Sequence, residues 1–337
     1  MLRYSGSRRR EFSGRGVIGL PAATAAVAEA AGRMNRYPAM AAVELRVRLA
    51  RHLGVTAEEV AVRPGSVGVL QQIITGLCDA GDEVVFAGRS FEAYPILVEL
   101  AGARSVRIPL DDAEGHDLDA MAAAVTGRTK VILLCTPNNP TGVPISHDRL
   151  EAFLQAVRSD VLVVIDEAYV EYADAGAGPD AVTLYRRYPN VCILRIFSKA
   201  YGLAGLRVGY AITTAAIAEG LRRTALPFAV SALAQRAAIA SLDAGEEMEA
   251  RVSAVKQERA RMAAELDAQG WRLQRGRAIF CGSAPISGCS RGWWTRLTPR
   301  ASWSARTRAT ECRSPWPTPT PTTACSGSSQ PTRPDTL

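Results

Sequence analysis

Lysine is nearly absent from this chain of 337 residues: only Lys130, Lys199 and Lys256 occur, against 37 arginines. Histidine is equally scarce, with His52, His116 and His147 as its only representatives, and none has metal-ligand spacing relative to another His or Cys. The seven cysteines form no C-x-x-C pair, which argues against a zinc module or a disulfide scaffold and fits a reducing, cytoplasmic setting. No apolar run approaches the roughly 18 residues that a membrane span needs. Acidic and basic side chains are close to balanced through the body of the chain. The net charge of +7 comes from the ends, with five arginines in residues 1–16 and seven in residues 281–337. A nucleic-acid reading needs a basic face on a folded domain, and no such face is visible.

Branched aliphatics run out at the C-terminal end. From Cys281 onward only Ile286, Leu297 and Leu337 remain, among nine Ser, ten Thr, eight Pro, four Trp and four Cys. No core can be built from that composition, yet disordered tails are normally poor in Trp and Cys. Out-of-frame translation of a GC-rich gene, beginning between about Trp271 and Cys281, accounts for both facts, and resequencing tests it. The basic start at 1–16 is atypical in the same way and holds two decoys. Gly14-x-Gly16-x-x-Gly19 matches a dinucleotide fingerprint, but it follows Arg8 to Ser13 rather than a strand, and the fingerprint works only at a strand-to-helix turn. Arg9-Arg10 loosely matches an export signal. The segment behind it, Pro21 to Ala31, carries Glu29 and a helical spacing, so an amphipathic helix is expected there instead.

Between the ends, strand and helix signals alternate. Short apolar runs bounded by turns fall at Glu83–Ala87, Val131–Cys135, Val161–Ile165, Val191–Phe197 and Val208–Ile212. Helical spacing marks Val69–Ala80, His147–Val157 and the long charged segment Glu246–Asp267. Runs without alternation imply strands buried on both faces, so the expected fold is α/β, with a mostly parallel central sheet covered by helices. The expected organisation is a basic start at 1–16, an N-terminal arm at 17–40, a large domain at 41–237, the beginning of a smaller α+β domain at 238–280 and the aberrant tail at 281–337.

Open α/β sheets bind ligands outside the carboxyl ends of their strands. Three strand ends here deliver Asn139, Asp166 with Tyr169, and Ser198-Lys199 with Arg207 toward one edge. Each has an ordinary alternative: a turn cap for Asn139, a helix N-cap for Asp166, and solvated charges for Lys199 and Arg207. The constellation is specific only when taken jointly and in order.

The segments PNNPTG at 137–142, DEAY at 166–169 and SKAYGLAGLRVGY at 198–210 resemble the pyridoxal-phosphate aminotransferases of the histidinol-phosphate type. NRYP at 35–38 and Gly65-Ser66 before a helix extend the likeness over residues 17–280. GDEVVF at 81–86 and RSFEAYP at 89–95 look like the actinobacterial aromatic, or phenylalanine, aminotransferase branch. The resemblance implies fold type I and a homodimer that acts in amino-acid biosynthesis on small amino and 2-oxo acids. The implied reaction moves the amino group of an aromatic amino acid, phenylalanine foremost, to 2-oxoglutarate by a ping-pong route through pyridoxamine phosphate.

It further implies that Lys199 bonds pyridoxal 5'-phosphate through its amine and moves the proton at the substrate Cα, and that Asp166 pairs with the ring nitrogen. Asn139 and Tyr169 would hydrogen-bond the phenolic oxygen, and Tyr94 would stack on the ring. Ser198, Arg207, Ser66 and Val67 would hold the phosphate, with Tyr37 reaching the phosphate of the neighbouring subunit. No metal is implied. Ile196, Arg63-Pro64 and Ala39 depart from the family pattern, and the arginine that clamps the substrate carboxylate cannot be assigned. Histidinol-phosphate aminotransferase, a related decarboxylase and a frame-damaged cofactor-binding remnant are the alternatives.

Overall fold

The computed structural model describes residues 19–270, residue 175 excepted. The expectations for residues 1–16 and 281–337, and for most of the glycine decoy, lie outside the described residues. Seven strands form one sheet: β1 (Val60–Arg63), β2 (Glu83–Ala87), β3 (Arg104–Ile108), β4 (Thr129–Cys135), β5 (Leu162–Asp166), β6 (Val191–Ile196) and β7 (Gly209–Ile212). Their order is β1-β7-β6-β5-β4-β2-β3. Pairing is parallel from β3 through β6, whereas β7 runs antiparallel to both of its neighbours.

Helices α1 (Pro21–Ala31), α2 (Val43–Leu53), α3 (Gly65–Leu77), α4 (Ala93–Leu100), α5 (Leu118–Ala123), α6 (His147–Ala156), α7 (Ala181–Arg187), α8 (Ala215–Arg223), α9 (Ala232–Asp243) and α10 (Gly245–Ala268) cover the sheet. Side-chain oxygens of Asp117, Ser146, Asp180, Thr214 and Ser231 accept the N–H three residues on, so α5 to α9 each start at a capped end.

Strand parity divides the core into two clusters. On one face, Val131, Leu133, Leu162, Val164, Cys192 and Leu194 pack against Val69, Leu70, Ile73 and Ile74 of α3 and Tyr94, Leu97 and Val98 of α4. On the other, Ile132, Leu134, Val163, Ile165, Val191 and Ile193 pack against α2, α5, α6, α7 and α9. β2 and β5 are buried along their whole length, and β4 and β6 along all but Lys130 and Arg195, as their apolar runs require.

The chain departs from the sequence reading at identifiable places. β3 lies outside the apolar runs, because the exposed Arg104 and Arg107, on opposite faces of this edge strand, break its pattern. β1 is only four residues long. α3 begins four residues before the expected Val69, at Gly65, whose φ of 78° lies outside the helical range that propensity reads. The expected domain boundary after residue 237 falls inside α9, which packs along α1. α9 and α10 are separated at Ala244, where ψ is 45°.

Candidate functional site

Four chain segments meet at the carboxyl end of the parallel strands. β5 ends at Asp166, paired in register between Cys135 of β4 and Leu194 of β6. Alternation along β5 then decides where its two acids point. Asp166 follows Leu162 and Val164 to the α3/α4 face, whereas Glu167 turns to the opposite face and binds Arg195 of β6 at 2.8 Å.

Asp166 is buried, at 4% exposure. Its Oδ2 accepts a hydrogen bond from the Tyr94 hydroxyl at 2.9 Å, while its Oδ1 is buried without a partner. Burial pushes its pKa up to about 6, and the Tyr94 donor, the Ala168 N–H and Lys199 act against that rise.

Lys199 stands in the loop after β6, half-buried, with its Nζ 5.1 Å from the centroid of the Tyr169 ring. Burial and then the nearby Arg207 guanidinium hold its pKa below the usual lysine range, opposed by Asp166 and Glu92. The loop is closed by Phe197 N–H to Val208 O, Leu203 N–H to Phe197 O and Gly202 N–H to Lys199 O. Tyr169 is buried, and burial also raises its phenol pKa.

The Arg207 guanidinium donates to Ser198 Oγ at 3.4 Å and to Ala204 O at 3.0 Å. It lies against the start of α3, so a Cβ added at Gly65 would come within 2.8 Å of Nη2. At Gly209 a Cβ would meet Ser66 N at 2.5 Å and the Gly65 carbonyl carbon at 2.6 Å. Backbone thus approaches backbone where only glycine fits, and the buried Ser66 and half-buried Val67 sit at a helix N-terminus beside a guanidinium and a hydroxyl. N–H groups, a helix dipole and a guanidinium together suit a phosphate.

These residues fit pyridoxal 5'-phosphate on three counts. The orphaned Oδ1 of Asp166 needs a donor such as a protonated ring nitrogen, Lys199 offers an amine whose charged form is disfavoured, and the α3 cradle suits the phosphate. Among the described residues no group of three or more His, Cys, Asp or Glu side chains is placed to hold a metal.

The structure brings Asp166, Tyr169, Ser198, Lys199, Arg207, Ser66 and Val67 to this edge, with Asn139 in the half-buried loop after β4. One expectation changes. Tyr94 has no exposed face to stack on a ligand: it is fully buried, with Phe86 and Phe91 edge-on at 5.8 and 5.6 Å and its hydroxyl committed to Asp166. Phe91, which sequence reasoning passed over, is the half-buried ring beside it. The helical phase of α4, turning Tyr94 inward, separates the two rings, and no single residue type signals that. Tyr37, expected at the phosphate of a neighbouring subunit, is 84% exposed, packs on Phe228 with ring centroids 4.8 Å apart and stands outside this chain's own cluster. His116 is buried with neither ring nitrogen bonded, and burial lowers its pKa to about 4, which leaves it neutral and structural.

The family model for aminotransferase class I and II matches residues 13–283. The chain is 53% identical over 261 residues to an aromatic amino acid aminotransferase of Streptomyces coelicolor, covering 77% of this chain and 73% of the relative. A Cutibacterium acnes protein of the same name is 51% identical, covering 77% and 74%. Among solved structures, the histidinol-phosphate aminotransferase of Sinorhizobium meliloti in complex with pyridoxal-5'-phosphate superposes with a TM-score of 0.75 at 31% identity, covering 79% of this chain and 72% of that one.

Proposed function

The chain belongs to the class I and II aminotransferases, and from that premise we propose that it moves the amino group of an aromatic amino acid, phenylalanine foremost, to 2-oxoglutarate. The relatives at about half identity carry the substrate part of this reading through their names. The observation that carries the chemistry is the unpartnered Oδ1 of buried Asp166 on the same strand-end edge as Lys199.

When bound, pyridoxal 5'-phosphate supplies an aldehyde for amines and a ring that withdraws electrons from the substrate Cα. The protein's own residues do the rest. Asp166, held as a carboxylate by the Tyr94 hydroxyl, keeps a ring nitrogen protonated through Oδ1. Lys199, whose ammonium is destabilised by burial and by Arg207, would be available as a free amine to accept the proton from the substrate Cα and hand it on. Ser198, Arg207, Ser66 and Val67 anchor the phosphate, and Tyr169 with Asn139 binds the phenolic oxygen. Phe91, half-buried at the edge, would take the place expected of Tyr94 beside the ring.

A second copy of the chain is part of the proposal. Met34, Tyr37, Met40, Val43, Leu226 and Phe228 are large apolar side chains left between 42% and 84% exposed. A partner subunit would cover them and bring Tyr37 to its neighbour's phosphate. A reducing, cytoplasmic setting is supported by Cys78, Cys135 and Cys192, which are free and buried.

The test is direct. The purified full chain with added pyridoxal 5'-phosphate is expected to gain the visible absorbance of a lysine-linked cofactor, which Lys199→Ala abolishes. Phenylalanine is expected to discharge that absorbance and yield its 2-oxo acid. Discharge by histidinol phosphate alone would reassign the substrate, and no absorbance in the unmodified chain would defeat the proposal.

A further inference from the structure

Asn138 precedes Asn139 in the turn after β4, and it alone of the pair is completely buried. Every polar group it owns is engaged. Its N–H donates to Val143 O at 3.0 Å, and its carbonyl accepts from the Gly142 N–H at 2.7 Å. The side-chain amide donates to Arg89 O at 3.0 Å and to Thr141 Oγ1 at 3.1 Å, and its oxygen accepts from the Ser90 hydroxyl at 2.8 Å. An asparagine side chain has two N–H donors and one carbonyl, and all three are used: one donor within its own turn, at Thr141, and the other donor and the oxygen across 49 and 48 residues, at Arg89 and Ser90.

The partners explain what this accomplishes. Arg89 and Ser90 immediately precede Phe91, and Thr141 belongs to the same turn as Asn139. The far end of the 89–94 segment is tied separately, by Tyr94 on Asp166. Without the Asn138 amide, the turn holding Arg89, Ser90 and Phe91 would keep its attachments to β2 and α4, the Gly88 N–H bond to Ile108 O and the exposed Arg89–Glu114 pair, but would lose its hydrogen bonds to the turn that carries Asn139. A buried amide that joins two loops with two bonds, and is itself held in its own turn by a third, sets their separation to within hydrogen-bond tolerance, as ligand sites built on loops require.

We propose that Asn138 is a positioning residue: it fixes Phe91 and Asn139 relative to each other, so that one cofactor ring meets both in the orientation that Asp166 requires. This rests on the cofactor reading above. Asn138 touches no reacting atom. Aspartate in its place keeps the acceptor for Ser90 but loses both donors and sets a carboxylate against the Arg89 carbonyl, whereas Ser90→Ala removes one bond at the partly exposed end.

The experiment uses the full chain, with pyridoxal 5'-phosphate as the probe and three readouts: its dissociation constant, the circular dichroism induced in the bound cofactor's visible band, and the thermal midpoint of the cofactor-free protein. Asn138→Asp is expected to weaken cofactor binding at least tenfold and to diminish or reverse the induced dichroism. Ser90→Ala, which has little burial to lose and serves should Asn138→Asp fail to fold, is expected to weaken binding about threefold, with a smaller change of the same sign in the dichroism and an unchanged midpoint. Wild-type affinity and dichroism in Ser90→Ala, or in a folded Asn138→Asp, would overturn the proposal while leaving the cofactor reading intact, even if the midpoint falls. Absence of the lysine-dependent absorbance in the unmodified chain would overturn both.

Discussion

The Tyr94 hydroxyl donates to Asp166 Oδ2 at 2.9 Å, joining α4 to the end of β5 inside the core. A fully buried phenol whose own ionisation is suppressed can only donate here, so it favours the charged form of the acid. The free Oδ1 is thereby left as the acceptor on the ligand side.

Tyr94→Phe keeps the ring in its cage of Phe86 and Phe91 and deletes that donor. The Asp166 pKa is expected to rise further above about 6, so less carboxylate is present at neutral pH. Hydrogen bonds to charged groups are worth about 1.5–3 kcal/mol, so cofactor affinity at pH 7 should fall roughly tenfold or more. The acid limb of a binding-versus-pH curve should move to higher pH. Titrating the visible absorbance at several pH values checks both.

Asp166→Asn tests the cost of burying that charge. The folded pKa of about 6 lies above the unfolded aspartate value, so the acid's contribution to stability is full below about pH 4 and is lost as pH rises through about 6. In the cofactor-free chain, Asp166→Asn should match the wild type near pH 4 and exceed it at pH 8 by on the order of 2–3 kcal/mol. Glu171, pushed up to about 7 by burial, gives both proteins a further decline over the same range, so the difference between them isolates Asp166. Urea unfolding at the two pH values measures it.

Gly209→Ala places a Cβ 2.5 Å from Ser66 N, where backbone cannot yield as a flexible side chain would. A loss of at least about 1–3 kcal/mol and a weakened phosphate cradle are expected. Gly205→Ala, with nothing within 4 Å of its Cβ, is the control and should be close to neutral. Thermal midpoints, together with the dissociation constant for pyridoxal 5'-phosphate, separate the two.

Arg195→Met strands Glu167, whose side chain is 1% exposed and whose ionised form depends on that guanidinium. Breaking one side of such a pair costs about 3–5 kcal/mol. Adding Glu167→Gln to Arg195→Met should recover part of the loss, and urea midpoints of the single and double variants check it. Equal midpoints for Arg195→Met and wild type would show that the pair contributes nothing.

Elements whose chemistry is local were legible in the sequence. β2 has the bounds its apolar run sets, Pro21–Ala31 is helical as spaced, and β4, β5 and β6 begin or end within a residue or two of their runs. The local pattern failed where a neighbour outvoted it: β3 pairs along β2 despite its two arginines, and α3 starts at a glycine because Arg207 and Gly209 crowd that backbone.

The order of residue types along the chain by itself determined which groups arrive at the strand ends: a lysine after β6, an acid at the end of β5, amides after β4. This follows because strand parity and turn chemistry depend only on near neighbours. Tertiary structure alone decided how adjacent, similar residues divide their work. Tyr94 is turned into the core while Phe91 stays at the edge, and Asn138 is saturated with hydrogen bonds while Asn139 stands half-buried beside it. Those outcomes depend on donors and acceptors tens of residues away, at Asp166, Ser90 and Arg89, whose nearness exists only once the sheet has assembled.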